Sequence, residues 1–545
     1  MSAPPRWVHL LLLIGICFIL YFSNLGRWDL WNPDEPRYAQ VAREMVDRGD
    51  WILMHLNGGV YGDKPPLFFW LIALSSYLWQ GFTSFSARFP SALFGTLTVL
   101  LTFFLGERLY SSRTGFFSGL ILATSLHFVY LSNRANIDVT LTFFMTASFL
   151  YFFLWYQAGR KEGIRRSRTV RSIFIFGFYT SMALATLTKG PTGLVLPLLA
   201  SLIYLLLQKD YGEMKRMKLF PGIPLFLAIV LAWYLPAVSL GGRAYVEENL
   251  FRHTTEAYTT GWTHPSPLYY YLYIFPMSFM PWTLFLPAAI TYGCSKTTIG
   301  KRKEFLFLSV WCLVIFAFFS LSQSKRALYL LPLFPAASLM IGKVWSDFIS
   351  GPLGSLKRGW IFVPLWGLIG FGLIAGVAVP WVVSIKLAPY RLYSFPIALL
   401  LVGCSLAMWV FCRLKNYRAI LFLLVGMMVA GYFYTFRVIF PLANPRMSAR
   451  FLSEEVTSRI QPGDRLAIYG GIGNDPYNYF TGVVPITTIY SRAALLDFMR
   501  SPGRVFCLLQ FHDFSQLFGG GEAPKVQLIA RRQVRRDDVV LISNR

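Results

Sequence analysis

Charge is what this chain has least of: only 14% of its 545 residues are Asp, Glu, Lys or Arg, against roughly 25% in an ordinary soluble domain. A set of soluble domains is thereby excluded. With 55% hydrophobic and 17% aromatic residues, the apolar side chains fall into runs of about 17–25, the length that crosses a hydrocarbon layer about 30 Å thick. An integral, polytopic membrane protein is the class that remains. Acidic residues are the scarcer sign, 26 Asp and Glu against 51 Lys and Arg, for a net charge of +25. In a water-soluble protein this excess would point to nucleic acid. Here the basic residues sit in short clusters between apolar runs, where they orient helices and meet anionic headgroups, so membrane lipids and no nucleic acid are the expected partners. The six cysteines are scattered and only Cys507 lies in the polar C-terminal region, which excludes a disulfide within it. No HExxH or CxxC metal motif and no hydrolytic triad is outlined. The run from Trp7 to Leu25 has no small-residue cleavage site and is expected to be a retained first span.

Placing the basic loops inside gives a topology. The clusters at 160–171, 209–218, 296–303, 357–358 and 413–418 become cytoplasmic. The opposite side then receives a first loop at 26–65, a large loop at 241–267 and everything after about residue 438. About thirteen spans result, with the N-terminus inside and the C-terminus outside. Three apolar stretches, 66–80, 88–107 and 114–132, lie between flanks that both belong outside, so one of them must be re-entrant, oblique or fused with its neighbour. Two domains are expected: a polytopic domain over 1–439 and an outer α/β domain over 440–545. In the latter, a helix-like stretch from Arg446 to Ile460 precedes strand-like runs at 465–469, 484–490, 504–510, 526–530 and 539–542. The glycines at 470–473 match no nucleotide-binding spacing and read as a turn.

Ionisable residues beside apolar runs are the informative ones, because a charge at mid-bilayer costs about 2.5–3.5 kcal/mol on insertion scales. They gather on the derived outer side. In the first loop, Asn32 is expected to cap a helix with Pro33 at its first position and Glu35 as the capping-box partner. Asp34, Arg37 and Tyr38 then share one face. Lys64, followed by two prolines, stands at the mouth of the next apolar helix, whose first N–H groups have no partner, which outlines an anion site. Further outer groups recur at 133–138 with Asp138, at 188–191 with Lys189, at Glu247, Glu248, Arg252 and His253, and at 324–326 with Lys325, Arg326 and Tyr329. The cations Lys64, Lys189, Arg252, Lys325 and Arg326 suit a phosphate, and the carboxylates of Asp34 and Asp138 suit a hydroxyl, an amine or a metal. A polyprenyl phosphate, with its tail between helices and its head at the rim, fits such a place. A transporter would instead carry charges near the midplane and repeated, interrupted helices. This chain has its charges at the rims.

Asp34-Glu35-Pro36-Arg37-Tyr38-Ala39, Arg43-Glu44-Met45, Gly49-Asp50-Trp51 and Asp63-Lys64-Pro65-Pro66-Leu67 closely resemble the first outer loop of the bacterial lipid A aminoarabinose transferases. These belong, with the protein O-mannosyltransferases, to the GT-C superfamily. Asn136-Ile137-Asp138, Leu187-Thr188-Lys189-Gly190-Pro191, Met280-Pro281-Trp282 and Phe319-Ser320-Leu321-Ser322 with Lys325 and Tyr329 resemble later blocks, and the likeness covers roughly residues 28–340. It implies a mainly α GT-C fold with 13 transmembrane helices, periplasmic juxtamembrane helices and a small C-terminal periplasmic α/β domain. It also implies transfer of a sugar, 4-amino-4-deoxy-L-arabinose as the best single choice, from undecaprenyl phosphate to lipid A or another periplasmic acceptor at the bacterial inner membrane. By resemblance Asp34 is the catalytic aspartate of loop one and Asp138 takes the place of a second functional acid. Lys64 and Arg252 contact the donor phosphate, Tyr329 and Lys325 lie near it, and Arg37, Tyr38, Glu35 and Lys189 are expected as acceptor-side or supporting residues. One position departs: relatives commonly carry Glu before the lysine, where this chain has Asp63, and some use that acid in a metal site. Asp63, Glu248 and His253 are therefore the expected ligands if a divalent metal is held.

Overall fold

The structure is a computed structural model that describes residues 5–160, 168–249, 264–295, 302–351, 359–518 and 525–545. Among these residues, nine helices are long and apolar enough to cross a membrane, and eleven if two bent pairs each count as one span. Three shorter apolar helices add to them, Arg6–Phe22, Leu67–Leu78 and Thr192–Leu207. Thirteen crossings would need two of those three as well. The parity problem between residues 66 and 132 has a physical source. The 12-residue Leu67–Leu78 helix extends roughly 18 Å at 1.5 Å per residue, short of the hydrocarbon thickness. Ser84–Leu109 is a full-length helix, and Ser112–Ala123 with Leu126–Ser132 bends by 69°.

The chain divides into two compact units. The first comprises the described residues of 1–24, 63–68 and 91–435, and its named elements are helices. Without a hydrophobic driving force between helices in lipid, close backbone approach does the joining. A Cβ at Gly115 would stand 2.3 Å from the carbonyl oxygen of Phe103, so the Ser112–Ala123 helix crosses the Ser84–Leu109 helix at a point only glycine fits. Aromatic rings fill the remaining space, as where Phe149 stacks on Trp311 with centroids 4.1 Å apart. Buried polar groups are paired across the bends: the Trp282 indole donates to Thr124 Oγ1 at 3.0 Å and the Leu126 N–H to the Met280 carbonyl at 3.1 Å.

The second unit joins residues 25–62 and 69–90 to 436–545. Its sheet has the order β4-β3-β5-β7-β6, with β3 Arg465–Tyr469, β4 Thr487–Ile489, β5 Val505–Gln510, β6 Gln527–Val534 and β7 Asp537–Ser543; β1 His55–Leu56 and β2 Gly59–Val60 form a separate small hairpin. β3 runs parallel to β4 and β5, whereas β7 is antiparallel to β5 and β6. Leu466, Ile468, Phe506, Leu508 and Leu541 pack on one face, and Ala467, Cys507, Leu509, Val540 and Ile542 on the other. Burial on both faces is why these strands read as continuous apolar runs rather than alternating ones. The glycines at 470–473 form the turn after β3. The expected helix over 446–460 is shorter, Arg450–Thr457, and three helices absent from the sequence reading, Asp475–Thr481, Arg492–Met499 and Phe511–Phe518, fill the connections.

Candidate active site

In the first unit, Asp138 is the second residue of the Ile137–Arg160 helix. Its N–H donates to Asn136 Oδ1 at 2.9 Å, while the Asn136 N–H donates to Ser91 Oγ at 2.9 Å, so the sequence Asn-Ile-Asp fixes where this helix starts. Lys189 ends the neighbouring Arg168–Lys189 helix. Its ammonium donates to Asp138 Oδ1 and lies 4.2 Å from the centroid of the Tyr329 ring, a cation–π geometry. Asp138 is almost wholly buried and Lys189 nearly so. The Tyr329 ring is carried on the 3-10 turn Ala327–Leu333 and packs on Phe319 with centroids 5.4 Å apart. Lys64 and Arg326 stand within electrostatic reach of Lys189, as do Asp63 and Arg326 of Tyr329. Lys64 Nζ donates to Asp63 Oδ1 at 2.5 Å. This unit therefore brings together Asp63, Lys64, Asp138, Lys189, Arg326 and Tyr329, three cations against two carboxylates. That excess suits an anion with a net charge.

Lys325, expected at the donor phosphate, is used differently. Its ammonium donates to the carbonyls of Ser322 and, at 3.0 Å, of Ser266, and its N–H donates to the His264 carbonyl at 3.0 Å. It ties the 264–266 segment to the Ser322–Arg326 turn, and burial pulls its ammonium below the usual lysine range. Arg252 and His253 lie outside the described residues.

In the second unit, Asp34 opens the Asp34–Arg48 helix, whose N-cap is Pro33 with no side-chain cap. The expected capping box is thus not formed. Instead the Glu35 carboxylate turns inward: Oε2 accepts the Trp31 N–H at 3.0 Å, and both oxygens accept from Arg88, at 2.7 and 3.0 Å. The pull of a buried guanidinium outweighs a solvent-side cap because an unpaired charge in the interior costs far more than an open N–H at a helix end. Arg37 donates to Asp475 Oδ2 at 2.6 Å. Burial alone would lower its guanidinium, but Asp475 and the nearby Tyr61 outweigh it and raise it above the usual arginine value. Tyr38 is buried edge-on to Phe69, centroids 5.9 Å apart. The helix ends where Gly49 turns left-handed with φ 68°, a conformation glycine adopts without strain.

Arg88 is the residue the sequence reading missed. Its signal was there: it is the single charged residue in the apolar stretch from Ser84 to Gly106, and an ionisable group inside such a run marks a constraint by default.

Among the described residues no three His, Cys, Asp or Glu side chains group as ligands, and the Asp63 carboxylate is already engaged by the Lys64 ammonium. Of the three expected ligands, His253 lies outside the described residues.

The chain has the build of a polytopic membrane protein, with long apolar helices and a small α/β region, and its first unit sets cations beside acids. Comparison with known proteins agrees. The family model described as dolichyl-phosphate-mannose-protein mannosyltransferase matches residues 7–245. The undecaprenyl phosphate-alpha-4-amino-4-deoxy-L-arabinose arabinosyl transferase of Pectobacterium atrosepticum is 30% identical over 366 residues, covering 66% of this chain and 62% of that protein. Its counterpart in Aeromonas hydrophila is 31% identical over 363 residues, covering 66% and 64%. The matched region thus spans slightly less than two thirds of these relatives. The crystal structure of ArnT from Cupriavidus metallidurans bound to undecaprenyl phosphate superimposes with a TM-score of 0.82 at 21% identity, covering 100% of this chain and 99% of that one, and so shares the fold. The chain is thus similar both to the undecaprenyl phosphate-alpha-4-amino-4-deoxy-L-arabinose arabinosyl transferases and, over its first half, to the dolichyl-phosphate-mannose-protein mannosyltransferase model.

Proposed function

We propose that this protein is an inner-membrane glycosyltransferase that moves 4-amino-4-deoxy-L-arabinose from undecaprenyl phosphate to lipid A at the periplasmic face. The observation that carries the reading is the Asp138–Lys189–Tyr329 arrangement with Lys64 and Arg326 beside it, a cationic cluster at the ends of apolar helices. In the transfer, the bond between the anomeric carbon and the donor phosphate oxygen breaks while one forms to the acceptor oxygen. Charge grows on the departing phosphate, so fixed cations there stabilise the transition state more than the ground state. Lys64, Lys189 and Arg252 take that role. Asp138 holds Lys189 in place over Tyr329. Asp34 orients the acceptor, taking a proton where the acceptor is a hydroxyl; a lipid A phosphate, already anionic, needs no base.

Asp34→Asn is expected to lower transfer by about 10²–10⁴-fold, the usual contribution of a positioned acid or base, in proteoliposomes loaded with the undecaprenyl-linked sugar. Transfer at the native rate by that variant would overturn its role. Lipid A mass spectra from cells with and without the gene identify the acceptor: loss of the aminoarabinose adducts supports the reading. Unchanged lipid A moves it to the protein or another glycan, an alternative that the match to a protein mannosyltransferase model favours second.

A further inference from the structure

The segment that delivers Asp34 is threaded onto one buried side chain. Arg88, wholly buried, donates from Nη1 to the carbonyls of Leu25 at 2.7 Å and Trp28 at 2.9 Å, and from Nη2 to that of Asp29 at 2.6 Å. Nε and Nη2 grip the two oxygens of Glu35 at 2.7 and 3.0 Å, and the guanidinium carbon lies 4.5 Å from the Trp28 ring centroid. Glu35, itself fully buried, passes the constraint on by accepting the Trp31 N–H. Three carbonyls on one side of Asp34 and the carboxylate of the residue just after it therefore converge on a single planar fork. A fully bonded arginine is more than packing needs: one buried carboxylate would neutralise it, whereas here the extra donors are spent on the backbone of the loop leading to Asp34.

We propose that Arg88 is a positioning residue for the transfer reaction: through Glu35 and the carbonyls of Leu25, Trp28 and Asp29, it fixes the first turn of the Asp34–Arg48 helix and hence the direction of the Asp34 carboxylate. The proposal rests on the reading in which Asp34 works on the acceptor. Its logic is geometric, since a group displaced by about 1 Å can cost 10²-fold in rate. Lysine keeps the charge of arginine but not the fork, so it cannot hold Glu35 and three carbonyls at once.

The test compares wild type, Arg88→Lys and Glu35→Gln, as full-length protein in proteoliposomes. In Arg88→Lys, turnover is expected to fall about 10²-fold with the KM for the undecaprenyl-linked donor unchanged within threefold. Hydrogen exchange of peptides covering residues 25–38 is expected to rise while the rest of the chain is unaltered. Glu35→Gln, which keeps the shape and some of the bonds, is expected to show a smaller loss of the same kind, and the double variant no more than Arg88→Lys alone. Arg88→Lys with native turnover, or with a rise in donor KM matching its loss of rate, overturns the proposal. Should Arg88→Lys not accumulate, Glu35→Gln is judged by the same criteria. A wild-type protein that transfers no sugar refutes the functional reading instead, while exchange at 25–38 still reports whether Arg88 orders that segment.

Discussion

Replacing Lys64 by alanine is expected to lower transfer from the polyprenyl-phosphate donor by about 10²–10³-fold, the cost of removing one fixed group that stabilises developing negative charge. Two effects add. The ammonium is lost from the place where the departing phosphate gains charge, and the Asp63 carboxylate, now 2.5 Å from Lys64 Nζ, loses the cation that most directly offsets its repulsion of that phosphate. Asp63→Asn is therefore expected to be much milder, because it keeps the cation and removes the repelling charge. Initial rates at saturating donor, with thermal unfolding in detergent to confirm that both variants fold, separate these outcomes. Equal losses in the two variants would show that the pair, rather than the cation, matters. A fully active Lys64→Ala would remove Lys64 from the mechanism.

The second large effect concerns the buried pair. Asp138→Ala leaves the Lys189 ammonium, whose side chain is 13% exposed, without its partner, and breaking a buried ion pair by deleting one member costs about 3–5 kcal/mol. Both the unfolding temperature and the activity are expected to drop. The double variant Asp138→Leu with Lys189→Met is expected to recover much of the stability, since apolar replacement of both members is often neutral or stabilising, yet to remain inactive because the cation over Tyr329 is gone. That split, stability regained and turnover not, distinguishes a working cation from a merely structural one. A double variant that recovers both would assign the pair to folding alone.

Much of this was legible before any coordinates. The buried strands of the C-terminal region could be located to within a few residues because each is a short apolar run bounded by Gly, Pro or Asp, and such a run is a property of consecutive positions. Asp138 and Lys189 were each singled out as polar residues at the rim of an apolar helix. What the chain order could not disclose is that they pair. Glu35 illustrates the opposite case: its neighbours Asn32 and Pro33 spell a capping box, a local pattern that is correct in the absence of anything stronger. Lys325 likewise stands in a run of cations suited to phosphate, but two carbonyls near it in space take its ammonium.

The amino-acid order on its own determined that this is a polytopic membrane protein, where its helices lie, and which loop carries the family's residues. All of these depend on the apolar length and residue spacing of single segments. Tertiary structure decided who meets whom: Arg88 with Glu35 across 53 positions, and Lys189 with Asp138 across 51. In an interior without water each buried donor must find an acceptor wherever the folded chain places one, and that search ignores distance along the sequence.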